Sequence, residues 1–256
     1  MTKGVHGSDI PDDDSFRALR STDRRNLAAD DELRKAAVDL QVRAERHNYT
    51  YQFEWCGVPV IRLPDDIVLL QEIVWSLRPE FIVETGVARG GGVLLDASLM
   101  VIAGLAPKVL GIDIQILPHA RTAIESSRFA SGIQLLEADS AGRSAGEEAR
   151  LMIGPVESSP PGILILDSNH THDHVLAELR SLAPLLPRGS VILVADTLVE
   201  EMPEGLYENR PWGRGNNPMT AVCAFLLENN DFEIAVEWNR RGLMSEIRDG
   251  VLVRTR

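Results

Sequence analysis

The feature that most constrains this chain is a recurrence of short apolar runs, each closed by an acid. Phe81-Ile82-Val83 stops at Glu84, KVLGID ends at Asp113, IQLLEAD at Asp139, GILILD at Asp167 and SVILVAD at Asp196. The runs are strand-length, and helix-length segments separate them. One such segment, 171–186, places Val175, Leu179, Leu182 and Leu186 on a single face. Strands alternating with helices build βαβ units, so the spacing predicts an α/β fold around a mostly parallel sheet. Open sheets of this kind bind ligands beyond the carboxyl ends of their strands. A row of carboxylates at those ends predicts a polar ligand site there.

The flanks read differently. Residues 1–30 are polar and acid-rich, with Pro and Gly interruptions, and read as a mobile arm; 31–50 carry helical spacing (DELRKAAVDLQVRAERH); the folded body runs from Tyr51 to Arg256. Near its end, FEIAVEW (232–238) and GVLVRTR (250–256) predict a closing pair of strands. The whole chain has 256 residues, 44% of them hydrophobic and 25% charged, which is ordinary for a water-soluble domain. A formal net charge of −12 argues against nucleic acid or an anionic membrane as partner, because phosphate binding draws on a surplus of Lys and Arg. Two cysteines, Cys56 and Cys223, make neither a disulfide framework nor a thiolate zinc site. No apolar stretch is long enough to span a bilayer and the N-terminus lacks a signal-like run, so the expected location is cytoplasmic.

VETGVARGGG (83–92) sets four glycines and Glu84 between a strand and a helix. Glycines allow close backbone approach to a ligand, and the following helix N-terminus offers free N–H groups. The spacing is not GxGxxG, and an acid at Glu84 disfavours a diphosphate. A cationic, amino-acid-like ligand suits it better, which favours S-adenosylmethionine over NAD. A plain tight turn would look similar. Asp113 at the next strand end suits ribose hydroxyls, and Asp139 with Ser140 at the third suits an adenine amine; together they favour a nucleoside.

DSNHTHDH (167–174) holds three of the six histidines. It lacks the spacing of a His-x-His-x-Asp-His hydrolase and of the two-His-one-carboxylate iron oxygenases, and no histidine occurs beyond His174. Thr171 reads as a helix N-cap, with Asp173 favourable in the first turn. On that helix His174 falls with Glu178, Ser181 and Leu185, a largely solvated face, and His172 with Leu176 and Leu179, a packed one. Asp167 and the loop residue His170 remain. Asp167 and Asp196 end strands expected to be neighbours; they either cap the adjoining segments or form a hard, oxygen-rich site for Mg²⁺.

Taken together, PEFIVETGVARGGG, GIDI, the stretch from Leu166 to Thr197 and RGNNPMTAVCAFL resemble the cephalosporin-hydroxylase-type family of antibiotic biosynthesis, over about Tyr51 to Arg256. The resemblance implies a Rossmann-like class I methyltransferase fold, with a seven-stranded sheet and helices on both faces. It implies S-adenosylmethionine and Mg²⁺ as cofactors. Glu84, Gly86 and Ala88 would line the methionine end, Asp113 the ribose, and Asp139 with Ser140 the adenine. Asp167 and Asp196 would hold the metal. Related enzymes often pair two adjacent ligands at the second position, where this chain has Ala195-Asp196; Thr197, Glu200 and Glu201 stand as replacements. Catechol-type relatives place a lysine base three residues after the first metal aspartate, and here that position is His170.

The expected chemistry is O-methyl transfer to a small-molecule acceptor, with His170 taking the proton. The polar loop ENRPWGRGNNP (208–218) offers Arg210, Trp212 and Arg214 as an acceptor wall, or is simply solvated. Two other readings stay open: an NAD(P)-dependent oxidoreductase, and a non-catalytic nucleoside-binding protein of an antibiotic pathway. The first lacks GxGxxG and a Tyr-x-x-x-Lys pair. The N-terminal helix and the resemblance point to a homo-oligomer.

Overall fold

A computed structural model describes residues 12–239 and 241–256. The elements run α1 Asp13–Ala29, α2 Asp31–Glu45, β1 Phe53–Trp55, β2 Val58–Val60, α3 Pro64–Leu77, β3 Ile82–Thr85, α4 Gly91–Ile102, β4 Val109–Asp113, α5 Pro118–Glu125 and β5 Ile133–Glu137. They continue α6 Arg143–Ile153, β6 Ile163–Leu166, α7 His172–Leu182, β7 Val191–Val194, α8 Pro218–Glu228, β8 Phe232–Ile234, α9 Val236–Asn239 and β9 Val251–Arg254.

β1 and β2 form a separate antiparallel pair; the main sheet has seven strands in the order β5-β4-β3-β6-β7-β9-β8. The first five are parallel, and β9 and β8 close the edge antiparallel, as the tail predicts. The chain builds outward from β3 through β4 to β5, then returns to the other side of β3 with β6. The order therefore reverses between β3 and β6, which is where a crevice opens in such a sheet.

Strand alternation divides the core into two layers. Ile82, Val109, Ile163, Ile165, Val191 and Leu193 face α3 and α4, packing on Leu70, Ile73, Leu95 and Met100. Val83, Leu110, Leu164, Leu166, Ile192 and Val194 face α6, α7 and α8, packing on Ala149, Leu179 and Phe225. Each such aliphatic side chain contributes about 1.5–3 kcal/mol on full burial. Continuous apolar runs are what a strand covered on both faces requires.

Two expectations change. Residues 13–29, read as part of a mobile arm, form α1, capped by Asp12 through Ser15 N at 2.9 Å with Asp13 and Asp14 in the first turn. Arg20 and Arg24 of α1 pair with Glu72 of α3 at 2.9 and 3.3 Å, and Arg241 shares the same carboxylate. The remainder of that arm, 1–11, lies outside the described residues. FEIAVEW stops being a strand at Ile234 and turns into α9, where Asn239 exchanges side-chain hydrogen bonds with both the N–H and the carbonyl of Val251 at 2.8 Å and so replaces a further strand pair. Among the described residues no helix is long and apolar enough to cross a membrane.

Candidate active site

A cleft of about 940 Å³ opens at the carboxyl ends of β3, β6 and β7. Its first wall is the loop after β3. Gly86 (φ 93°) and Gly90 (φ 93°) occupy the left-handed region, and so does Ala88 (φ 45°), where a side chain is strained. A Cβ on Gly86 would overlap the Asp167 carbonyl oxygen, and one on Gly91 the Pro59 carbonyl oxygen. A Cβ on Gly92 would press on the Glu84 carboxylate. The glycines are therefore demanded by close packing on both sides of the loop.

Asp113 latches this loop. Its Oδ2 accepts from Val87 N at 2.8 Å and Ala88 N at 3.1 Å, and Oδ1 accepts from Gln115 N at 3.1 Å. Glu84, Gly86 and Ala88 line the cleft together with Asp167, His170 and Asp196. Asp113, Asp139 and Ser140 stand at its shoulder, beyond the lining, at the ends of β4 and β5. Asp139 is exposed and accepts from Ala141 N at 3.1 Å. The Ser140 hydroxyl, expected toward a nucleobase, instead sits 3.0 Å from His174 Nε2 and 3.3 Å from Ser168 Oγ.

The neighbouring wall carries acids and an imidazole. Asp167, His170 and Asp196 each offer a ligand atom, all within 4.8 Å of one another. His170 Nδ1 lies 3.1 Å from Asp196 Oδ2, and its ring meets Trp212 edge-on at 4.8 Å, with Arg210 above the Trp212 ring. Asp196 is held in left-handed backbone (φ 56°), which turns its carboxylate back over the strand end. Burial pushes the Asp167 carboxyl well above the usual carboxylate range, against the pull of Arg62; Asp196 and Glu84 add to the push. The two carboxylates form a hard, oxygen-rich pair that fits a Mg²⁺ ion keeping some of its waters, with the His170 imidazole beside it.

Thr197 does not join this group. It is 1% exposed, and its hydroxyl donates to the Glu246 carbonyl at 3.2 Å and accepts from Arg248 N at 2.6 Å. Glu200 accepts from Gly215 N and Asn217 Nδ2, and Glu201 pairs with Arg34 and Arg248. All three replacements for the missing ligand are thus committed elsewhere, and His170 is the third member of the cluster. Arg210 and Trp212 line the cleft; Arg214 does not.

The other histidines divide. His172 packs against α8, with Nδ1 2.8 Å from Thr220 Oγ1. His174 is not on a solvated face. It belongs to a polar knot in which Ser168 Oγ donates to Glu178 Oε1 at 2.7 Å, and Glu178 is fully buried. The hydrogen bond to Glu178 raises the pKa of His174 against the desolvation that lowers it. Sequence reasoning also missed Arg62, 6% exposed, whose Nη2 donates to Glu84 Oε1 at 2.6 Å. Its one signal is an arginine set between Ile61 and Leu63, where an apolar strand-to-helix link would be ordinary. Thr50, joining Glu45 and Glu246 at the cleft's far side, had no signal at all.

Residues 47–255 match the family model described as Rhamnosyl O-methyltransferase/CmcI. A rhamnosyl O-methyltransferase of Mycobacterium tuberculosis (strain H37Rv) is 27% identical over 223 residues, 83% of this chain and 85% of that protein. The Mycobacterium leprae enzyme of the same name is 30% identical over a shorter stretch of 145 residues, 56% of this chain and 59% of that one. Among solved structures, a Mg–SAM form of CmcI superposes with a TM-score of 0.59 at 22% identity, covering 80% of this chain and 78% of that one. An apo form of CmcI gives 0.56 at 22% identity, over 80% and 77%. At that identity the structures establish the shared Rossmann-like fold, and the sequence matches displace both the oxidoreductase and the non-catalytic readings. The chain belongs to the rhamnosyl O-methyltransferase/CmcI family and is an S-adenosylmethionine-dependent O-methyltransferase.

Proposed function

We propose that this enzyme methylates a hydroxyl of a sugar or glycosylated secondary metabolite, with Mg²⁺ bound by Asp167 and Asp196. The observation that carries the reading is the grouping of Asp167, His170 and Asp196 in the same cleft as the glycine loop, with Gly86 packed against the Asp167 carbonyl. The names of the mycobacterial relatives support a sugar acceptor, and the aromatic ring of Trp212 beside His170 suits the apolar face of a pyranose.

Glu84, with Oε2 buried and lacking a hydrogen-bond partner, would offer an acceptor for the donor's ammonium, and the Gly86–Ala88 backbone would line the methionine portion. A Mg²⁺ ion at the two aspartates would lower the pKa of a bound hydroxyl and orient it. Asp196 holds His170 through Nδ1, which leaves Nε2 free to take the hydroxyl proton. The acceptor oxygen then attacks the sulfonium methyl in line: the new O–C bond forms as the C–S bond breaks, and S-adenosylhomocysteine leaves. Because the methyl is already activated, alignment and local charge do most of the work.

The test is transfer of labelled methyl to rhamnosyl and other deoxysugar glycosides, with EDTA and with Mg²⁺ restored. Transfer that disappears in EDTA and returns with Mg²⁺ supports the reading. Transfer indifferent to EDTA and to Asp167→Ala removes the metal from it.

A further inference from the structure

Arg62 lies in the link between β2 and α3, yet it is among the most buried charges of the protein, 6% exposed. Its Nη2 donates to Glu84 Oε1 at 2.6 Å and lies 3.8 Å from Asp167 Oδ2, while Nη1 lies 3.8 Å from Asp96 Oδ1. The three acids belong to different parts of the chain: Glu84 to β3, Asp96 to α4, Asp167 to the end of β6. Among the described residues no other cationic side chain of Lys or Arg comes within 4 Å of any of them. Glu84 Oε2 and both Asp96 oxygens have no hydrogen-bond partner there. A buried carboxylate without a partner is costly, and one guanidinium is the cation that all three acids face.

The position matters as much as the charge. β3 and β6 are neighbours on either side of the point where strand order reverses. Glu84 faces the methyl-donor loop, and Asp167 faces the cluster with His170 and Asp196. The short bond to Glu84 and the looser approach to Asp167 place Arg62 between the two walls of the cleft. A planar guanidinium fork can address two carboxylates at once, whereas a lysine ammonium serves one at a time.

We propose that Arg62 is a positioning residue that couples the donor wall to the metal wall, by holding Glu84 while standing against Asp167. The proposal rests on the reading that Asp167 binds a divalent cation. It has a specific consequence. If Glu84 loses its charge, Nη2 is released from its short bond and closes on Asp167, where it competes with the cation. A change at Glu84, which is not a metal ligand, therefore weakens metal binding, and only while Arg62 is present.

The experiment is a double-mutant cycle read by Mn²⁺ binding, with free Mn²⁺ followed by electron paramagnetic resonance and no methyl donor added. In the wild-type background Glu84→Gln is expected to weaken Mn²⁺ binding at least about fivefold. In an Arg62→Met/Asp96→Asn background, which removes the cation together with the buried acid beside it, the same change is expected to have an effect of less than about twofold. Thermal melts check that this background folds; if it does not, Arg62→Gln/Asp96→Asn takes its place with the same expectation, because a neutral amide cannot close on Asp167 as a cation does. Equal effects of Glu84→Gln in both backgrounds, or none in the wild type, overturn the coupling while leaving the metal reading standing. Wild-type protein that binds no Mn²⁺ overturns both.

Discussion

The two walls of the cleft are built from different materials. The donor wall is backbone: the Gly86, Gly90 and Gly91 conformations, the strained Ala88, and N–H groups fastened by Asp113 all fall within a single loop and its latch. The neighbouring wall is side chain: Asp167 and His170 come from the loop after β6, Asp196 from the end of β7 and Trp212 from the segment before α8, and burial pushes the Asp167 carboxyl above the usual carboxylate range. A backbone wall can take only a ligand of fixed shape. A side-chain wall stores charge and can be retuned residue by residue.

That contrast can be broken from its charged side first. Asp167→Ala should lower kcat/KM by about three orders of magnitude, the scale of losing metal stabilisation of the reacting oxygen, in the labelled-methyl assay. S-adenosylhomocysteine affinity, measured by calorimetry, should change far less.

Next in size is the effect of pH on the ligand-free protein. Asp66, which accepts from Glu246 N at 2.9 Å behind the metal wall, has its carboxyl raised by burial from 3.8 to about 6. Between those values the folded chain keeps a proton that the unfolded chain has released. Stability is therefore lost as pH rises through that window, by about 3 kcal/mol in full above it. Burial raises the Asp96, Asp167 and Glu246 carboxyls in the same direction. The protein should melt higher at pH 5.5 than at pH 7.5, and Mg²⁺ should flatten the slope. A melting temperature that climbs with pH over this range would contradict the charge stored there.

His170→Asn should cost about a hundredfold in kcat, a typical value for a general base, with donor affinity unchanged. Loss of Mn²⁺ binding in the same variant would instead make His170 a ligand first. Gly86→Ala tests the backbone wall: the forced overlap with the Asp167 carbonyl should cost about 2 kcal/mol of stability and weaken S-adenosylhomocysteine binding by at least tenfold. Smallest is Trp212→Ala, with about a fivefold rise in acceptor KM and kcat nearly intact, as expected for a stacking contact worth about 1 kcal/mol.

The same contrast explains what could be read from the sequence. The five parallel strands and the acids at their ends are legible because apolar runs and strand ends are local signals. So is the glycine loop, since its constraints lie within ten consecutive residues. The pairing of Asp167 with His170 and Asp196 follows from strand neighbours. Arg62 is not legible, because what makes it a buried cation is three acids that only the folded sheet brings together. His174 is misread for a related reason: helical spacing puts it with Glu178, and a glutamate looks solvated until Ser168 closes over it. The helix α1 is hidden in a polar stretch because its arginines find Glu72 about fifty residues away.

The seat of Gly86 against the Asp167 carbonyl has an evolutionary corollary. The glycine loop and the end of β6 cannot be altered independently, since any bulk added at Gly86 would wedge them apart. The segment 203–216 is largely exposed, and it supplies Leu206, Tyr207, Arg210 and Trp212 to the cleft as one contiguous piece. On the proposed function, acceptor range would then be carried by one exchangeable piece. A chimera exchanging that segment between relatives would inherit a new substrate repertoire while keeping its handling of the methyl donor.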